Sequence, residues 1–330
     1  MDFTKSRLYG VSNKKYLSEL LQLELKTLKD VDNNYEVEPF FKEVNGKIRE
    51  LYNPSEAHKR ALKNIVKTLS YVGFPHYVYG GIPLVGYVDN ASRHLKKEYL
   101  LLLDITNFFP STKDSYVYDF FHNAMSQPAD IAKILTNLTT IKKDEERFLP
   151  QGFSTSPMLS FLSYHQMYEE LDVFSKSNNF TFSAYYDDFT FSSDKFIHTS
   201  KRREAIAIIE KYGLQVNKKK TRLTICNHTR VTGVIIHGDT KKAPKKLHKK
   251  MYDHYRLLLE MDKDPSNFVQ DEFIDTCNRL QGCLAAIQSI ERERNLEHYK
   301  NTLRHVRTKF DVPVDKKKKQ LYFRNIEVNN

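Results

Sequence analysis

Phe180-Thr181-Phe182-Ser183-Ala184-Tyr185-Tyr186-Asp187-Asp188-Phe189-Thr190-Phe191-Ser192 is the stretch on which the fold turns. It is an alternating, aromatic-rich segment with two adjacent carboxylates at its turn. Two clustered negative charges oppose each other's ionisation unless something positive lies against them. A divalent cation is the usual answer, and metal-bound carboxylates serve phosphoryl transfer. A bare Asp-Asp pair also suits a solvated hairpin turn. The rings of Tyr185, Tyr186, Phe189 and Phe191 weigh against that, because exposed turns do not normally carry them.

Upstream, Tyr99-Leu100-Leu101-Leu102-Leu103-Asp104 is a continuous apolar run closed by one carboxylate. That is the pattern of a buried central strand delivering an acid to its end. Successive side chains of an extended chain point to opposite faces. The expected arrangement therefore has Asp187 facing Asp104 across neighbouring strands, with Asp188 offset. Such carboxylates can bridge two cations roughly 3.5–4 Å apart. In Leu149-Pro150-Gln151-Gly152-Phe153-Ser154-Thr155-Ser156-Pro157, Gly152 permits unusual backbone angles and small residues leave N–H and hydroxyl groups open. The loop could lie against a nucleotide and a template base, or be an ordinary turn.

With 330 residues, the chain can bury a sizeable core in two or three domains. No apolar run is long enough to span a membrane, and the polar N-terminus lacks a secretion signal. Cys226, Cys277 and Cys283 show no metal-ligand spacing, which points to a reducing, cytoplasmic setting. The net charge is +11, and residues 240–330 carry 20 Lys/Arg against 13 Asp/Glu, or +7 of it. That tilt suits a polyanionic partner, or a merely soluble basic surface. Lys241-Lys242, Lys245-Lys246, Lys249-Lys250, Lys316 to Lys319 and Lys218-Lys219-Lys220 are its densest clusters.

Leucines at helical spacing predict a helix in 14–30, and Asn45-Gly46 predicts a hairpin in 34–52. Ser55 caps a predicted helix reaching Tyr71. Residues 73–86 read as a loop, 115–141 and 201–212 as helix, 153–168 as a loop entering a helix, 222–226 and 230–237 as strands, and 244–308 as mostly helix. The fold class is α+β: a catalytic module of sheet and helix flanked by helical parts.

Four segments, Asp104-Ile105-Thr106-Asn107-Phe108-Phe109-Pro110-Ser111, Leu149 to Pro157, Tyr185-Tyr186-Asp187-Asp188 and Asn217-Lys218-Lys219-Lys220-Thr221, follow the order of reverse-transcriptase motifs A to D. Over residues 40–240 the chain resembles bacterial reverse transcriptases. Asn90-Ala91-Ser92-Arg93-His94 and Val231-Thr232-Gly233 resemble elements of the retron type. The resemblance implies a right-hand polymerase fold. Residues 1–97 would hold N-terminal helices and fingers, 98–117 palm, 118–151 fingers, 152–239 palm and 240–330 a helical thumb. The ninety residues after Val-Thr-Gly leave room for a thumb and little else, so no nuclease, integrase or maturation domain is expected.

By the same resemblance Asp104, Asp187 and Asp188 are the catalytic, Mg²⁺-binding aspartates, two ions per site, with the Ile105 position among the ligands and Asp188 the weaker one. Phe109 is an aromatic gate against a ribose 2′-OH, with Asn107 and Phe108 beside it at the nucleotide. Arg49 grips the incoming triphosphate, Lys47 helps, and Gln151 lines the pocket. Lys220 protonates the leaving pyrophosphate. Partners would be dNTPs, a cognate structured non-coding RNA primed from a guanosine 2′-OH, its branched cDNA product, and a separate anti-phage effector protein, with no membrane. Asn90, His94, Lys245, Lys246, Lys249 and Lys250 are candidate RNA contacts, Asn90 and His94 equally candidates for pinning the loop before motif A. Tyr252, Tyr255 and Tyr322 could stack on bases or pack a core. Two departures stand out: Tyr186 where retron enzymes usually have alanine, and Phe153-Ser154 where they usually have Ala-Pro. An abortive-infection-type enzyme with untemplated synthesis, or an RNA-binding scaffold with secondary polymerase activity, remain as alternatives.

Overall fold

The computed structural model of the chain describes residues 1–35, 37–44 and 46–314, the side chains of Val44 and Lys47 excepted. The expectations placed on Asn45, Lys316 to Lys319, Tyr322 and the Lys47 side chain fall outside those residues. The chain forms two compact units, residues 1–86 with 97–225, and residues 87–96 with 226 onward. This division differs from the expected borders at 97 and 240: the Asn90–His94 segment belongs with the C-terminal unit.

The first unit is built on a four-stranded antiparallel sheet ordered Thr181–Tyr185, Asp188–Ser193, Tyr99–Asp104, Arg222–Ile225. Tyr99–Asp104 lies inside the sheet, where Leu100 and Leu101 are fully buried, as its unbroken apolar run requires. Phe182, Phe189 and Phe191 fill the core next to it, with Phe182 and Phe191 stacked at 4.7 Å between ring centroids. Helices Ser156–Leu162 and His165–Ser177 bury Met158, Leu159, Leu162, Met167, Tyr168 and Leu171 in that same core.

Further along the unit, the predicted N-terminal helix divides into Lys14–Leu21 and Leu25–Lys29, because Gln22 turns left-handed at φ 56°. Strands Pro39–Val44 and Lys47–Tyr52 form a separate two-stranded hairpin. Ser55 caps the Glu56–Leu69 helix by accepting from His58 N–H. A short strand pair, Ile141–Lys143 with Glu146–Phe148, follows the helices of 114–139; the helical expectation for 115–141 passed over it.

The second unit holds three long helices, Lys245–Lys263, Gln270–Ile290 and Glu297–Lys309, packed on one another. Met251, Leu258, Leu280, Leu284, Ile287 and Val306 are the buried faces. A small antiparallel sheet, Thr229–Val231, Val234–His237 and Thr240–Lys242, precedes them. The single strand expected over 230–237 is two strands, because Thr232 takes a left-handed φ of 44°.

Candidate active site

Asp104 ends its strand 5% exposed, and its register partner on the neighbouring strand is Asp188. Tyr185 pairs with Asp188 on the other side, so Tyr186 and Asp187 are the two-residue turn. The Asp187 carbonyl accepts from Ile105 N–H at 2.9 Å, which draws the turn over the end of the Asp104 strand. Tyr186 holds φ 54°, a conformation that costs a bulky residue roughly 1–3 kcal/mol.

Asp187 keeps part of its surface in solvent, yet the protein packed around it raises its carboxyl above the usual range. Burial is the first cause and the charge of Asp104 the second, while Lys220 and Arg49 pull the other way. Lys220 Nζ donates to Asp104 Oδ2 at 2.5 Å, and this bond holds the ammonium above its ordinary lysine range. Asp188 acts on Lys220 after Asp104 and Asp187. Asp104 Oδ1 is buried with no hydrogen-bond partner. A desolvated carboxylate oxygen without a donor is unfavourable unless a cation completes it. The residues therefore fit a divalent cation between Asp104 and Asp187. Among the described residues no three His, Cys, Asp or Glu side chains converge as a ready cage, so the site is a pair with Asp188 to one side. The Ile105 side chain is core at 1% exposure, leaving its main-chain carbonyl as what it can present to a cation.

The nucleotide candidates divide. Asn107 is exposed and left-handed at φ 47°, starting the short helix Phe108–Ser111. Phe108 is buried at 3% among core aromatics, so its ring is not available to a nucleotide. Phe109 is half-buried, 6.4 Å from the Tyr186 ring, and Tyr186 lies 4.7 Å from Tyr185. Arg49 is exposed on its hairpin, which docks on the Gln151 loop: Tyr52 N–H donates to Gln151 O at 2.9 Å. Gly152 at φ 116° makes that docking possible, because a Cβ there would lie 2.4 Å from Tyr52 O. Arg49 and Gln151 are thus joined through backbone.

Phe153, one of the two departures, points into a core of Tyr52, Leu62 and Ile141, edge-on to His58 at 5.1 Å. His58 is itself buried, its Nε2–H donating to Leu138 O at 2.7 Å, and burial lowers its imidazole below the usual range. The larger ring at 153 is a packing change away from the carboxylates.

Two positions outside the motifs shape the turn. A Cβ on Gly80 would meet Tyr186 N at 2.4 Å, so only glycine admits the turn's backbone there. The Gly80-Gly81 pair in the predicted loop was the signal. Tyr168, fully buried beneath, directs its hydroxyl at Tyr186 O over 3.4 Å; it read only as part of a helix.

In the second unit Asn90 and His94 are 0% exposed, and Asn90 Nδ2 donates to Thr232 Oγ1 at 3.2 Å. Buried side chains offer RNA no surface here, which corrects their placement among RNA contacts. The two retron-like elements, Asn90–His94 and Val231–Gly233, are therefore one packing unit. Lys245, Lys246, Lys249 and Lys250 are all exposed on the first long helix. Tyr255 is 8% exposed and bonded to His298, hence core, while Tyr252 is 49% exposed.

Among the described residues no helix is long and apolar enough to cross a membrane. The reverse transcriptase (RNA-dependent DNA polymerase) family profile matches residues 41–254. The Retron Se72 reverse transcriptase of Salmonella heidelberg is 29% identical over 304 residues, 85% of this chain and 76% of that one. The Retron Ec86 reverse transcriptase of Escherichia coli is 28% identical over 200 residues, 58% of this chain and 59% of that one. A solved telomerase from Candida albicans aligns with TM-score 0.44 and 12% identity, covering 90% of this chain and 67% of that one. The chain belongs to the reverse transcriptase family, the RNA-directed DNA polymerases of right-hand fold, and its resemblance within that family is to the retron type.

Proposed function

We propose that the chain copies a cognate structured non-coding RNA into DNA, starting at the 2′-OH of a guanosine in that RNA and leaving a branched RNA–DNA product (msDNA). Its place is a cytoplasmic retron that defends against phage together with a separately encoded effector protein. The likeness to retron enzymes supports this setting. The observation that carries the chemistry is the buried, unpartnered Oδ1 of Asp104 beside the Asp187 carboxyl.

On this reading Asp104 and Asp187 hold two Mg²⁺ ions, with Asp188 in support. Bound there, the ions supply charge neutralisation for the triphosphate and a lowered pKa for the attacking hydroxyl. Lys220 keeps Asp104 Oδ2 oriented and carries a proton that the departing pyrophosphate can take. Arg49 forks the triphosphate oxygens. Gln151 lines the nucleotide, and the Phe109 ring excludes a ribose 2′-OH.

The test is to express the chain with its neighbouring locus, purify it and extract its nucleic acid. A branch resistant to ordinary ribonuclease is expected, and it disappears in Asp187→Asn with RNA still bound. Linear RNA alone from the unaltered chain would overturn the branched-product reading. Unchanged DNA synthesis in the variant would overturn the metal-site assignment.

A further inference from the structure

Lys241, on the last small strand of the second unit, is a cation that the catalytic reading leaves unused. It is half-buried, and its Nζ donates to Ser92 Oγ at 2.9 Å, while Ser92 Oγ donates onward to Val88 O at 2.6 Å. The ammonium keeps two further N–H bonds to give. Arg292 is brought up through the side chain of the residue before it. Ala243 N–H donates to Glu291 Oε1 at 2.8 Å, tying the exit of the strand to the residue before Arg292. Glu291 is already engaged by His248 at 3.1 Å and Arg294 at 2.9 Å. Gln288 Nε2 donates to the carbonyls of Arg292 at 2.7 Å and Arg294 at 3.4 Å, which shapes the turn displaying the exposed Arg292.

Among the described residues neither Lys241 nor Arg292 forms an ion pair. Burial first and the charge of Arg292 second lower the Lys241 ammonium below the usual lysine range, with Asp89 acting in the opposite sense. The Ser92 bond and the Ala243–Glu291 bond thus bring two cations to neighbouring places on separate elements, one of them half-buried. That is unfavourable in the free protein and is relieved by an anion offering several acceptor oxygens. A phosphate group has that shape and charge.

We propose that Lys241 and Arg292 form a seat for one phosphodiester of the RNA. The seat is built from the Ser92 helix, the Thr240–Lys242 strand and the Arg292 turn, and is separate from the exposed lysines of the following helix. It rests on the reading that RNA is the partner.

The test titrates the full chain with a fluorescent RNA stem–loop between about 50 and about 300 mM salt, where counterion release is measurable. Lys241→Gln with Arg292→Gln is expected to weaken binding about tenfold at low salt and to flatten the log–log salt slope by about 0.7–1. Lys241→Arg retains both. Lys242→Gln, which removes one positive charge on the opposite, exposed side of the strand, alters neither. Wild-type affinity and slope in the double variant, or an equal loss in Lys242→Gln, overturns the seat. Inorganic phosphate at constant ionic strength separates the sources: if it displaces RNA from the wild type at low millimolar concentration, the seat is for the free anion and the RNA assignment fails. Primer extension on a preannealed template distinguishes the underlying reading. A wild type that neither binds RNA nor extends a primer fails that reading, whereas one that does both while the double variant binds normally fails the seat alone.

Discussion

Asp104 and Lys220, 116 residues apart in sequence, meet at 2.5 Å between Oδ2 and Nζ. One oxygen of the central carboxylate is thereby oriented, and the other is left buried and unpartnered. The lysine is half in solvent and the acid almost wholly withdrawn from it. A cation reachable from solvent is therefore anchored to an acid that is not. Lys220→Gln is expected to lower the single-turnover rate of nucleotide addition about 10²-fold with the dNTP KM little changed. Lys220→Arg recovers orientation of Asp104 but not proton donation, so a rapid-quench comparison of the two separates the roles.

Asp187 illustrates stability set against activity. Its folded-state carboxyl is raised, so the ionised form above the unfolded value of about 3.9 works against folding. In EDTA at neutral pH, Asp187→Asn should raise Tm by about 1–4 °C, while DNA synthesis with Mg²⁺ restored falls at least about a hundredfold. A lowered Tm in EDTA would mean that the carboxylate is stabilised by groups other than a cation.

Gly80 is where a single methyl group should matter far from any charge. A Cβ at that position meets backbone, Tyr186 N at 2.4 Å, which cannot rotate away. Gly80→Ala should cost about 1–3 kcal/mol by overpacking and reduce polymerisation by moving the acidic turn. Calorimetry and primer extension on the same preparation check both.

The half-buried Phe109 and Tyr186 rings lie 6.4 Å apart. Phe109→Ala should reduce dNTP-over-rNTP discrimination by about a hundredfold or more through lost steric exclusion. Tyr186→Ala should reduce it by about tenfold or less, through a looser Phe109. Tyr186→Phe keeps the ring and should match the parent. Relative kcat/KM for dGTP and GTP reads the outcome.

His58 gives the first unit an acid-sensitive core. Its folded pKa is lowered by burial, so the unfolded chain takes up the proton first. Stability contributed by the neutral ring is present above about pH 6.5 and lost as pH falls below it toward the depressed folded value. Tm measured from about pH 7 to 5 should fall, and should fall less steeply in His58→Gln than in the parent.

The central strand was legible because Tyr99 to Leu103 is apolar without interruption, and the acidic turn because aromatic alternation frames Asp187-Asp188. The Ser55 cap was legible because its signal is local. The strand pair at 141–148 was not, since three-residue strands carry too little periodicity to register. The break at Thr232 was hidden because threonine favours extended backbone and only tertiary packing holds it left-handed.

The same limit applies to the site. Sequence alone determined which side chains bring charge, three aspartates, a motif lysine and an arginine, and that an aromatic ring, Phe109, follows the first of them. Tertiary structure decided which of them act on one another. It placed Asp188 opposite Asp104 in register and set the Asp187 carboxyl where burial and the Asp104 charge raise it, joined Arg49 to Gln151 through the Tyr52 backbone, and buried Phe108 and Phe153 in core. It also withdrew Asn90 and His94 from solvent. Burial and contact between distant segments depend on which surfaces the packed elements share, and no local pattern in the chain carries that information.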